Sequence, residues 1–122
     1  MKKLIKISAL AAVLGLSSLA AQAQTEVQFW HSMTAVNGEW VNDLAKDFNA
    51  KQKEYKIVPT FKGTYDESMT AAVAAFRAGN APHILQVFEV GTATMMASKG
   101  VTVPVGKVMK DSGEKFDPKA YV

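Results

Sequence analysis

Glu89 follows a short apolar, β-prone run, Ile84-Leu85-Gln86-Val87-Phe88, and stands just before Gly91-Thr92, which reads as the opening turn of a helix. In open α/β sheets, ligands bind outside the carboxyl ends of strands, where free helical N–H groups and side chains converge. A carboxylate at that junction is placed to read a ligand, although it would also gain roughly 0.3–1 kcal/mol from the helix dipole with no ligand present. Tyr65 has a similar two-sided reading. It is expected at the first helical position after Thr64, at the same sheet edge as Glu89, yet positions 65, 69, 72 and 76 also share one helix face. Trp30 and His31 end the first strand at this edge, where an aromatic side chain can either stack on a ligand or fill the core.

Other chemistries lack their residues. The nearest approach to a phosphate-cradling loop, Gly100 to Gly106-Lys107, has one intervening residue too many, and Val108 stands where a Mg²⁺-binding hydroxyl belongs. The chain has no G-x-G-x-x-G and no G-x-S-x-G. Its two histidines, His31 and His83, have no third ligand at metal spacing, so no metal site and no cofactor is expected. His31-Ser32 with Glu89 has the residue types of a triad, but neighbours on a strand point to opposite faces, which hinders nucleophile activation. Binding without catalysis is the expectation.

Residues 1–23 have the three parts of a signal peptide: Lys2, Lys3 and Lys6, an apolar run from Ile7 to Leu16, and Ala21-Gln22-Ala23 as the cleavage site. Ser17, Ser18 and Gln22 cut that run below the roughly 20 residues a spanning helix needs. Cleavage removes three lysines and no acid, so the formal charge falls from +3 to zero and nucleic acid is not an expected partner. The absence of cysteine excludes a disulfide framework, a thiolate metal site and a lipid-modified cysteine anchor. A freely soluble periplasmic product is expected, its mature part from residue 24 to 122 forming one domain or a piece of one. The tail Phe116-Asp117-Pro118-Lys119-Ala120-Tyr121-Val122 reads as a loop leading onward, as in a truncated chain.

The elements that position these residues alternate. A first strand is expected at Val27–Trp30 and a helix at Asn37–Lys51, with Trp40, Val41, Leu44, Ala45 and Phe48 on its inner stripe. A second strand follows at Lys56–Phe61, placed at an edge or bulge by Pro59. Thr64-Tyr65-Asp66-Glu67 matches a capping box that opens a second helix, with Met69, Ala72, Val73 and Phe76 inward and Gly79-Asn80 as its stop. The third strand is expected over Ile84–Phe88, a third helix over Thr92–Ser98 with Met95-Met96 in the core, and a short fourth helix over Val103–Ser112. The order βαβαβα implies an α/β fold with a mostly parallel sheet and right-handed crossovers.

The runs Phe29-Trp30-His31-Ser32-Met33, Lys56-Ile57-Val58-Pro59-Thr60, Ala74-Ala75-Phe76-Arg77, Gly79-Asn80-Ala81-Pro82 and Ile84-Leu85-Gln86-Val87, with Gly63, Tyr65 and Glu89 to Lys99, carry a further reading. In them the chain resembles the extracellular solute-binding proteins of carbohydrate-type ABC importers. That resemblance implies a two-lobed fold closing about a hinge, with this chain as the start of the N-terminal lobe. It implies a monomeric periplasmic receptor for glycerol-3-phosphate and glycerophosphodiesters, held in part by Tyr65 and Glu89 and delivered to an inner-membrane permease with a cytoplasmic ATPase. Phe61 and Phe88 stand where relatives often have tyrosine, and Thr34 to Gly38 departs from their usual acidic loop. A receptor for an uncharged sugar or oligosaccharide, a secreted hydrolase fragment and a remnant unable to fold are the alternatives.

Overall fold

The structure, a computed structural model, describes residues 24–115 and 117–121; the expected signal segment lies outside them. The elements run β1 (Thr25–His31), α1 (Ala35–Lys51), β2 (Tyr55–Phe61), α2 (Tyr65–Arg77), β3 (Ile84–Leu85), α3 (Glu89–Ala97), α4 (Val105–Asp111) and a 3₁₀ turn at Pro118–Tyr121. All three strands are parallel, in the order β2-β1-β3.

β1 and β2 pair along their whole length, from Thr25 opposite Tyr55 to His31 opposite Phe61. β2 is an edge strand among the described residues, and its free side is managed locally. Asn49 of α1 accepts the Ile57 N–H through Oδ1 at 2.7 Å and donates from Nδ2 to the Ile57 carbonyl at 2.9 Å. Backbone N–H groups two residues apart on a strand share an edge, so Pro59 turns its missing donor to the same outer side. The edge placement expected from Pro59 follows.

Because β3 lies on the other side of β1 from β2, the winding reverses after β2. Right-handed crossovers then put α1 and α2 on opposite faces of the sheet. The gap outside the ends of β1 and β3 is therefore a topological switch point, the place where open α/β sheets bind ligands.

α2 begins and ends as its sequence requires. Thr64 Oγ1 accepts the Glu67 N–H at 3.3 Å, and Glu67 Oε2 accepts the Thr64 N–H at 2.7 Å, completing the capping box. At the other end Gly79, with φ +75°, donates to the Phe76 carbonyl while Asn80 donates to the Ala75 carbonyl, a Schellman closure.

Several expectations are corrected. β3 is two residues long, not five, and α3 starts at Glu89, not Thr92. α1 starts at Ala35, two residues earlier than expected, with Ala35 in the left-handed region at φ +47°. Only Val41 and Ala45 of the α1 stripe are buried; Trp40, Leu44 and Phe48 are exposed, as are Val73 and Phe76 of α2 and Met96 of α3. α1 buries only Val41 and Ala45 and α2 only Ser68 and Ala72, and so small a sheet leaves their wider apolar flanks without a partner. An apolar groove of about 800 Å³ runs between α2, β3, α3 and α4, lined by Val73, Phe76, Ile84, Met95, Val105 and Val108.

The reciprocal cap makes a stability prediction. Thr64→Ala removes the acceptor for the Glu67 N–H and should cost about 1 kcal/mol in urea unfolding followed by circular dichroism; an unchanged midpoint would show that the cap does not hold α2.

Candidate functional site

The starts of α2 and α3 adjoin. Tyr65 is the first residue of α2 and Phe88 caps α3, and their rings lie 5.3 Å apart, tilted by 36°. Gly91 in the first turn of α3 is buried, and a Cβ there would come within 2.9 Å of Met69 Cε on α2. This close approach draws the two helix ends together, so that Tyr65 and Glu89 flank one ring contact at the carboxyl edge of the sheet. Glu89 is exposed and opens its helix directly, since Phe88 offers no side-chain cap. The acid of α2 differs: both backbone and side chain of Thr64 bond Glu67, which holds its carboxyl below the usual range.

Trp30 and His31 leave β1 on opposite faces. Trp30 is half-buried and carries the Lys62 ammonium over its ring, with Nζ 4.0 Å from the centroid. Lys62 thus brings a positive charge to the edge where β1 and β2 end. Parallel register could have revealed it, because Trp30 faces Thr60 and side chains two residues apart on a strand share a face.

His31 has 3% of its surface exposed and lies between Phe29 and Phe61, at ring separations of 5.7 and 6.1 Å. Its Nδ1 accepts the Met33 N–H at 3.3 Å, which fixes the neutral tautomer with hydrogen on Nε2. Burial lowers its pKa from the ordinary 6.5. The ring is packed within the sheet face and does not wall a crevice. The neighbouring Ser32 hydroxyl is buried with no partner, so no Ser–His hydrogen bond exists to activate it.

The seam between β1 and β3 was not foreseen from the sequence. Only Phe29 with Ile84 and Trp30 with Leu85 pair by backbone register. At its start the Gln28 N–H donates to His83 Nδ1 at 3.0 Å while the His83 N–H donates to the Gln28 carbonyl at 3.1 Å. At its end the Gln86 N–H donates to the Trp30 carbonyl at 2.9 Å, and Gln86 Oε1 accepts the Ser32 N–H at 3.0 Å. Side chains thus extend a two-residue ladder in both directions.

Comparison with known proteins gives this edge its context. The family described as bacterial extracellular solute-binding protein matches residues 32–122. The chain belongs to that family. Over 121 residues it is 53% identical to an Escherichia coli protein named sn-glycerol-3-phosphate-binding periplasmic protein, and 52% identical to the protein of that name in Shigella flexneri. The match covers 98% of this chain and 27% of each relative, so the chain spans about a quarter of their length.

In this solute-binding protein segment the expected α/β class with a parallel sheet is present. The structure brings Tyr65 and Glu89 to adjoining helix starts, Trp30 and Lys62 to the end of the β1–β2 pair, and Gln86 and Ser32 to the switch point. It leaves His31 inside. Among the described residues no three of His, Cys, Asp and Glu gather as a metal site would require.

The buried neutral His31 makes stability depend on pH. Its folded pKa lies below the unfolded value of 6.5, so the unfolded chain binds the proton more readily over that interval. Stability is therefore at full strength above pH 6.5 and falls as the pH drops from there through the lowered folded value. Chemical unfolding at stepped pH should show this decline for the native sequence and a shallower one for His31→Gln; equal slopes would contradict it.

Proposed function

We propose that this chain is the opening part of a two-lobed periplasmic receptor that binds sn-glycerol-3-phosphate and hands it to the permease of an ABC importer. The identity of about 53% to proteins named for that ligand carries the reading. In it, residues 1–23 are the cleaved signal peptide, residues 24–122 begin the N-terminal lobe, and the protein works as a monomer without performing a reaction. A cytoplasmic ATPase drives the transport step, and glycerophosphodiesters are further ligands. The uncovered apolar flanks of α1 and α2 and the groove beside α3 fit a chain whose lobe continues beyond these elements.

Physical chemistry divides the work at the edge. A carboxylate about 4 Å from a phosphate charge would be opposed by about 4 kcal/mol at an effective dielectric of 20. Glu89 therefore reads the glycerol hydroxyls, as an acceptor for their O–H groups. The Tyr65 phenol donates to a ligand oxygen, and Phe88 holds its ring at one distance and tilt. Lys62 over Trp30 favours an anionic ligand over a neutral sugar by supplying positive potential at the mouth of the site. Trp30 lines the same edge.

Calorimetry tests the reading in a chimera in which residues 24–122 replace the matched quarter of the Escherichia coli relative. Glycerol-3-phosphate should bind tightly, glycerol and maltose weakly. Glu89→Ala should weaken binding by about 2 kcal/mol or more, and Tyr65→Phe by about 1 kcal/mol. Preference for maltose would assign the site to an uncharged sugar, and release of glycerol-3-phosphate from a glycerophosphodiester would make the protein a hydrolase.

A further inference from the structure

We propose that Gln86 is a specificity-determining residue of the same site, its side-chain amide donating to an oxygen of the anionic ligand; this rests on the reading above. Gln86 follows the last paired residue of β3 and so stands at the switch point, three residues before Glu89. Two bonds to β1 fix it: its backbone N–H to the Trp30 carbonyl at 2.9 Å, and its Oε1 to the Ser32 N–H at 3.0 Å. The second bond decides the side chain's orientation. Only the oxygen can accept an N–H, so the NH₂ group is turned away from Ser32 and presents two donors. Among the described residues neither donor has a partner, and the residue is half-buried.

A half-buried amide locked at one atom and open at the other is preorganised, because little rotamer freedom remains to be lost when a ligand arrives. It also complements its neighbour. An ionised Glu89 can only accept hydrogen bonds, whereas the Gln86 amide can only donate from its free end. A ligand with hydroxyls on one side and anionic oxygens on the other can engage both. A neutral donor suits this position, since it meets an anion without forming an ion pair with Glu89 that would cancel the reading charge.

Gln86→Glu separates this role from a structural one. A carboxylate accepts the Ser32 N–H at least as well as the amide oxygen, so the seam is kept. The donors are lost and a negative charge is added. In the chimera described above, the thermal midpoint should stay unchanged while affinity for glycerol-3-phosphate falls more than about tenfold, as expected when a direct donor becomes a repelling acceptor. A remote charge about 10 Å from the ligand in water would alter affinity only about twofold, and salt would screen it.

A change within twofold that vanishes at high salt would overturn the inference, as would a loss of affinity accompanied by a matching fall in the thermal midpoint. Ser68→Ala, which removes a buried hydroxyl without a partner on α2, provides the control and should leave affinity unchanged. If the unsubstituted chimera bound maltose and not glycerol-3-phosphate, the ligand proposed above would fall, and the same Gln86→Glu comparison on maltose would still decide whether the amide donates. Failure to bind either ligand would overturn both.

Discussion

The arrangement depends on β1 being paired along both sides. Its pairing to β2 runs in register over seven residues, with a Glu26–Lys56 ion pair across it, whereas its pairing to β3 has two residues in register and is completed by His83 at one end and Gln86 at the other. The asymmetry has a physical logic. A strand that continued pairing through Phe88 would carry Glu89 along the sheet, in line with β1. By ending the ladder at Leu85 and letting the Gln86 side chain take the next N–H, the chain is free to bend and begin α3 at once. The carboxylate then opens a helix beside the switch point.

The same geometry brings the starts of two successive helices to one site. α2 and α3 touch at their N-terminal ends through Tyr65, Phe88, Met69 and Gly91, and the last of these lacks the Cβ that would press on Met69. Beyond that contact the apolar groove lies between α2, β3, α3 and α4. The wider apolar flanks of α1 and α2 are open.

Much of this was legible from the sequence. The βαβαβα order, the capping box at Thr64, the stop at Gly79-Asn80 and the edge position of the Pro59 strand each rest on a local signal with one physical meaning. The length of β3 was not legible, because Ile84 to Phe88 has the composition of a buried strand and nothing local records that the Gln86 side chain takes the Ser32 N–H in place of a backbone carbonyl. The covered part of each helix face is not legible for a related reason. Periodicity locates an apolar stripe, but which part of the stripe is covered depends on how much sheet lies beneath it, and three strands cover only Val41 and Ala45 on α1. The place of Lys62 is not legible along the chain, because its relation to Trp30 runs across two strands and emerges only from their register.

Two acids in comparable positions show how local bonding decides whether a carboxylate is committed to its helix. Glu67 and Glu89 both lie in the first turn of a helix, where the dipole favours them. Glu67 sits at the third helical position, close enough for its carboxylate to return to the Thr64 N–H, and that bond commits it to the cap. Glu89 sits at the first position, behind a phenylalanine that has no hydroxyl to exchange with it. A carboxylate at the first position projects beyond the helix end, so its lone pairs remain for a partner outside the helix. The same helical preference for an acid thus yields a cap in α2 and an uncommitted acceptor in α3, and the difference follows from a two-residue shift in where the acid stands.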